Sequence, residues 1–110
     1  MYKQGDIVIV QYPFSDHVTK TKLRPAIVIS NEASNHLDHD LIISPITTTL
    51  RRTSFSFSLS TQDLTAALPK NSEIRCNKFT TIRQSLILGK LSELKKDKLP
   101  ELLNLVRSVF

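Results

Sequence analysis

Residues 22–31 read Lys-Leu-Arg-Pro-Ala-Ile-Val-Ile-Ser-Asn, and the fold follows from this stretch. Four consecutive apolar residues, Ala26 to Ile29, three of them β-branched, predict a strand buried on both faces. Pro25 has no N–H to give to a ladder, so it is expected at the first residue of that strand. Arg24 then stands at the strand mouth, where a guanidinium can leave the core and reach solvent or a ligand. A second strand, Leu41 to Thr47, ends in Ser44-Pro45-Ile46-Thr47 and is expected to bring a hydroxyl to the same rim. An arginine and a threonine at neighbouring strand ends suit a phosphate.

The bulk properties set bounds around this centre. A chain of 110 residues fits one domain with one core, here residues 1–110. The hydrophobic share of 40% is ordinary for a soluble chain, and no apolar run is long enough for a bilayer, so no membrane partner is expected. Met1 leads through Lys3, Gln4 and Asp6 without the apolar core of a signal peptide. The single cysteine, Cys76, excludes an internal disulfide and points to a reducing cytoplasm.

Charge is unevenly spread. Residues 1–50 hold 4 Lys/Arg against 5 Asp/Glu, whereas residues 51–110 hold 11 against 5, so the net +5 arises in the second half. This asymmetry suits an anionic partner such as nucleic acid, with a solvated basic face as the plain alternative.

Outward from the central strand, Gly5-Asp6 makes a turn and Ile7 to Val10 form a first strand, which Pro13 is expected to end. Ser15 to Lys22 reads as a flexible hairpin loop, and Glu32 to Asp40 as a polar loop. Thr47 to Arg52 is a basic loop. Phe55 to Leu59 alternates, with Phe55, Phe57 and Leu59 on one face, as a half-buried strand does. Thr61 is a good N-cap for a short helix through Leu68, with Asp63 at its positive end and Pro69 after it. Glu73 to Phe79 reads as a strand with Ile74 and Cys76 on one face and Glu73, Arg75 and Asn77 on the other. Thr80 to Leu86 is expected as a turn or a single helical turn, and Ile87 to Leu91 as a last short strand. Pro100 is tolerated in the first turn of a closing helix, with Leu99, Leu102, Leu103, Val106 and Phe110 on one apolar face. The predicted architecture is mainly β with short helices: a small, strongly bent sheet or barrel closed by a C-terminal amphipathic helix.

Several motifs in order now carry a resemblance. Gly5-Asp6-Ile7-Val8, Arg24-Pro25-Ala26-Ile27-Val28-Ile29-Ser30-Asn31, Ser44-Pro45-Ile46-Thr47, Ile74-Arg75-Cys76 and Gly89-Lys90-Leu91-Ser92 resemble the MazF/PemK/Kid toxins. The likeness runs from about Gly5 to Ser92 and in pattern through the last helix. It implies an SH3-like barrel acting as a homodimer, and a metal-independent, cofactor-free endoribonuclease that cuts single-stranded RNA at short sequences. Growth inhibition through lost translation and neutralisation by a small antitoxin belong to the same implication. Residue by residue, Arg24 falls on the family's strand-mouth arginine, Thr47 on its catalytic threonine, and Arg75 on an arginine that some members use near the scissile phosphate. Two departures stand out. Asn77 replaces an acidic residue of some members, which leaves the general base open. Lys78-Phe79-Thr80-Thr81 replaces a common Gln and Arg-Thr pattern, so base preference does not transfer.

Metal-free RNA cleavage uses the neighbouring 2′-hydroxyl as nucleophile and leaves a 2′,3′-cyclic phosphate and a 5′-hydroxyl. It needs a proton acceptor, charge stabilisation on the pentavalent phosphate, and an acid for the 5′-oxygen. Arg24 suits the middle task, with a surface salt bridge to Asp6 or Asp16 as its alternative. Thr47 can donate to the same phosphate, or be a plain strand-end threonine. Arg75 and Asn77 share a strand face suited to phosphate or base contacts. His17, in the loop before Arg24, has a suitable intrinsic pKa, though a solvated loop histidine is the plain reading. Arg51, Arg52, Lys78, Phe79, Thr80 and Arg83 are the candidate RNA-binding residues, Phe79 either stacking on a base or packing in the core. His36, Asp38, His39 and Asp40 lack a second cluster to complete a metal shell. Cys76 reads as buried filler. Two rivals remain: a toxin acting by protein binding, of the CcdB gyrase-poison type, and a barrel that binds RNA without cutting it. An acidic, largely disordered antitoxin segment would suit the basic second half.

Overall fold

Ala26, Ile27 and Val28 are fully buried, and the two faces of their strand feed two different cores. Ile27 and Ile29 join Ile7, Ile46, Ile74, Leu102 and Val106 on one side. Ala26 and Val28 join Val8, Val10, Leu41, Ile43 and Ile87 on the other. Each fully buried Ile or Val contributes about 1.5–3 kcal/mol of hydrophobic stabilisation.

The computed structural model describes residues 1–14 and 17–110, and for residues 12–14 and 17–21 the backbone alone. The described residues form seven strands and two helices: β1 (Asp6–Phe14), β2 (His17–Val28), α1 (Glu32–Asp38), β3 (Asp40–Thr47), β4 (Ser56–Leu59), β5 (Ser72–Arg75), β6 (Thr80–Arg83), β7 (Ile87–Glu93) and α2 (Leu99–Arg107). The sheet order is β4-β5-β3-β2-β1-β7, with β6 also paired to β3. One edge of β3 thus serves two partners, β6 along Asp40–Ile43 and β5 along Ile46–Thr47. Ser44 and Pro45 fall at the change of partner, where the sheet divides. This is the mainly β, strongly bent architecture with a C-terminal helix that the sequence predicts.

The prolines do not end strands where expected. β1 runs through Pro13 to Phe14, and β2 runs through Pro25 rather than starting there. Pairing of β1 with β7 stops at Val10, and pairing of β2 with β3 stops at Ala26. Both prolines therefore lie where the strand has a single neighbour, the setting in which a missing N–H is tolerated. Residues 17–22, expected as part of a flexible loop, belong to β2 instead, with His17, Thr21 and Lys22 paired to β1.

Glu32 to Asp38 is a helix, not a loop. The Asn31 side chain caps it by accepting from the Ser34 amide at 3.0 Å. Asn35 is buried and donates to the Ser30 carbonyl at 3.2 Å, while the Ser30 hydroxyl accepts from the Ile42 amide at 2.9 Å. The Ser-Asn pair that closes the central motif thus docks α1 onto β3.

The predicted Thr61–Leu68 helix is a single 3-10 turn, Thr61–Asp63. Leu64 is drawn out of it into a bridge with Leu94, where its side chain is buried. The predicted Glu73–Phe79 strand stops at Arg75, and Thr80–Arg83, expected as a turn or a helical turn, is β6. In α2, Leu102 and Val106 are buried, with Leu99 and Leu105 packed beside them. Phe110 lies past the helix end, largely exposed, and Leu105 takes the place expected for Leu103. Among the described residues no helix is long and apolar enough to cross a membrane.

Candidate active site

The register of β2 on β3 pairs Val28 with Ile43, Ile27 with Ser44, and Ala26 with Pro45. Arg24, paired with Val10 of β1, and Thr47 each lie two residues beyond that last pair, on β2 and at the end of β3. Thr47 pairs in turn with Glu73 of β5, and Glu73 with Ser58 of β4. Alternation puts Arg75 and its partner Ser56 on the face of Glu73. The opposite face, with Ile46, Phe57 and Ile74, packs into the first core. Strand pairing therefore brings Thr47, Arg75 and an unforeseen acid, Glu73, together, with Arg24 on β2 just beyond its pairing with β3.

Glu73 is only 2% exposed although it lies off the core face. The β3–β4 loop covers it. Its Oε1 accepts from the Arg51 and Arg52 amides at 3.0 and 3.1 Å, and its Oε2 accepts from the Ser56 hydroxyl at 2.7 Å. Burial opposes its ionisation, but the bond from Ser56, those from the Arg52 and Arg51 amides and the nearby Arg75 charge outweigh it, and hold the carboxyl below its ordinary value. A carboxylate so occupied is a poor proton acceptor. Sequence alternation placed Glu73 with Arg75 and Asn77, on the face opposite Ile74 and Cys76, without a role of its own. The available signal was an acid two residues from Arg75 on one strand, opposite a basic loop.

Thr47 is half-buried, and its Oγ1 accepts from the Thr49 amide at 3.1 Å. That bond leaves the hydroxyl proton available to donate outward. Arg24 and Arg75 are likewise half-buried. Asp6, one proposed salt-bridge partner of Arg24, pairs with Lys90 at 3.3 Å.

The remaining candidates fall into two groups. Arg51 and Arg52 are exposed on the loop above Glu73, and Arg52 is held in the left-handed region at φ 51°. Lys78, Thr80 and Arg83 line a shallow groove of about 540 Å³ along β6, with Gln11, Ile82 and Leu86. Asn77 sits in the turn after β5, exposed, so it does not share a strand face with Arg75 as expected. Phe79 packs against the first core, its ring 5.6 Å from that of Phe110, which is the core alternative to base stacking. The side chain of His17 lies outside the described residues.

Cys76 is fully buried in the first core, and burial pushes its thiol up to about 11, which suits filler and not a nucleophile. Among the described residues no three His, Cys, Asp or Glu side chains come together as a metal site, and His36 and His39 are exposed on and just after α1.

The sequence matches, over residues 3–110, the family described as PemK-like, MazF-like toxin of type II toxin–antitoxin system. No curated protein matches it. Among solved structures, it is similar to an endoribonuclease in complex with its cognate antitoxin from a mycobacterial species, with TM-score 0.80 and 15% identity over 99% of this chain and 94% of that one. It is also similar to the Mycobacterium tuberculosis toxin MazF-mt6, with TM-score 0.75 and 21% identity over 96% and 95% of the two chains. A third similarity is to MazE-MazF from Deinococcus radiodurans, with TM-score 0.78 and 19% identity over 98% and 94%. At such identities the likeness speaks for the fold.

Proposed function

Because the chain belongs to the PemK-like, MazF-like toxins of type II toxin–antitoxin systems, we propose that it is a sequence-specific, metal-independent endoribonuclease that cleaves single-stranded RNA. The observation that supports this reading is the pairing of Thr47 with Glu73, two residues from Arg75 on β5, with Arg24 on β2 two residues beyond its last pair with β3. Arg24 then neutralises the phosphate as the RNA 2′-hydroxyl attacks it, the developing charge being largest in the pentavalent state. The Thr47 hydroxyl donates a second hydrogen bond to the same group. Arg75 holds an adjacent phosphate or base, and Arg51, Arg52, Lys78, Thr80 and Arg83 carry the flanking strand.

Glu73 is not the base, because all its bonds run to the loop. In this reading the chain acts in the cytoplasm as a homodimer and is silenced by a small antitoxin whose acidic segment covers the basic groove.

The test is incubation of the purified protein with a long single-stranded RNA, with and without a chelator, followed by analysis of the ends. Chelator-resistant cutting with 2′,3′-cyclic phosphate and 5′-hydroxyl ends is expected. RNA bound but left whole would make the protein a non-cleaving barrel. No interaction with RNA would turn attention to a protein target of the gyrase-poison type.

A further inference from the structure

A buried carboxylate on a strand that could have carried valine costs desolvation that an apolar residue would not. Glu73 meets that cost with three donors, and all three belong to one segment, the β3–β4 loop and its end: Arg51, Arg52 and Ser56. The bonds run to backbone amides at the two arginines, so the carboxylate fixes the course of the chain there and leaves both guanidiniums free to project. Arg52 takes a left-handed conformation, φ 51°, which is uncommon for a residue with a side chain and which the bond from its amide to Glu73 helps to hold. Thr47 begins this loop and is paired directly with Glu73, so one acid ties the loop to the site.

We propose that Glu73 is a positioning residue for RNA: buried and out of reach of substrate, it holds the Arg51–Arg52 segment in the conformation that presents both arginines beside Thr47. The inference rests on the reading of the chain as an RNA-cleaving protein. Its physical basis is preorganisation, since a loop already ordered does not lose that entropy when RNA binds. Glutamine lacks the charge that strengthens these bonds, and its NH₂ group turns the Ser56 hydroxyl from donor to acceptor, so it holds the loop less firmly.

The test measures binding of a 2′-O-methyl single-stranded RNA, which lacks the nucleophile, as a function of salt. Wild type, Glu73→Gln, the double variant Arg51→Ala/Arg52→Ala and the triple variant are compared. Glu73→Gln is expected to weaken binding about tenfold, and to reduce the slope of log affinity against log salt by about 0.7 for each phosphate that the two arginines no longer neutralise. The triple variant should match the double one. A wild-type salt slope in Glu73→Gln, or a full extra loss in the triple variant, would overturn the proposal. Should Glu73→Gln fold poorly, Ser56→Ala removes one donor and must shift the slope in the same direction, by less. Its failure to do so counts equally against the idea. If wild-type protein binds this RNA yet cuts no unmodified RNA, the ribonuclease reading falls and the binding comparison still decides the role of Glu73. If wild type binds no RNA, both fall.

Discussion

The ammonium of Lys90 lies 3.3 Å from the Asp6 carboxylate, which joins two short motifs from opposite ends of the chain. Asp6 is 2% exposed, and its other oxygen accepts from the Lys3 amide at 2.9 Å. Beside it, the Gly5 amide donates to Val28 at 2.8 Å, and the Gly5 carbonyl accepts from Leu94 at 2.9 Å. Gly5 takes φ +92°, which a side chain would strain. The Gly5-Asp6 turn is thus a clasp between the ends of β2 and β7, and Lys90 completes its charge.

Asp6→Ala is expected to lower stability by about 1 kcal/mol, because the Lys3 amide loses its acceptor and Lys90 its partner. Urea unfolding measures this. Lys90→Met should cost less in the Asp6→Ala background than in wild type. Equal losses in the two backgrounds would show that the two residues do not act as a pair.

Arg24→Ala should lower kcat/KM for RNA cleavage by about 100-fold or more, the scale for removing one donor from a developing oxyanion. The fold should survive, with a melting temperature changed by less than about 4 °C, the shift that corresponds to roughly 1 kcal/mol in a domain of this size. Near wild-type turnover by the variant would remove Arg24 from the chemistry. The measurement is initial rate against RNA concentration, paired with thermal unfolding.

Glu73 makes stability depend on acidity. Its folded pKa is lowered, so its contribution is complete above the ordinary carboxylate value of the unfolded chain. The contribution is then lost as pH falls through the lowered folded value. Glu73→Gln should be less stable than wild type near neutrality, and the gap should close in acid. Urea midpoints across a pH series test this. Glu93, held below its ordinary value first by the hydrogen bond from Lys90, acts in both proteins and cancels from the comparison.

If the proposed antitoxin covers the groove with an acidic segment, charge reversal at Arg51 and Arg52 should slow its association and flatten the fall of its rate with salt, while leaving the fold unchanged. Exposed charges act chiefly on encounter rates, and both residues are exposed. Stopped-flow mixing at several salt concentrations provides the check. An antitoxin whose association ignores salt, or which binds alongside RNA, does not cover this groove.

The amino-acid sequence by itself determined those elements whose signal is local. Ala26–Ile29 was legible as a doubly buried strand, because four apolar, mostly β-branched residues in a row offer neither face to water. The Phe55–Leu59 alternation and the helical spacing of Leu99, Leu102 and Val106 were legible for the same reason. Arg24, Thr47 and Arg75 were legible as candidates from their places beside such strands and from the ordered motifs. Tertiary structure decided the rest. Pro13 and Pro25 stay inside long strands because each lies where only one neighbour pairs with its strand, and no local pattern states how many neighbours a strand has. Thr61 begins only one helical turn because Leu64 is claimed by Leu94, far along the chain. Glu73 sits on the face opposite Ile74 and Cys76, and a loop from another part of the chain folds over it. Periodicity tells which way a side chain points. What covers it depends on contacts between segments distant in sequence, and those exist only once the chain has folded.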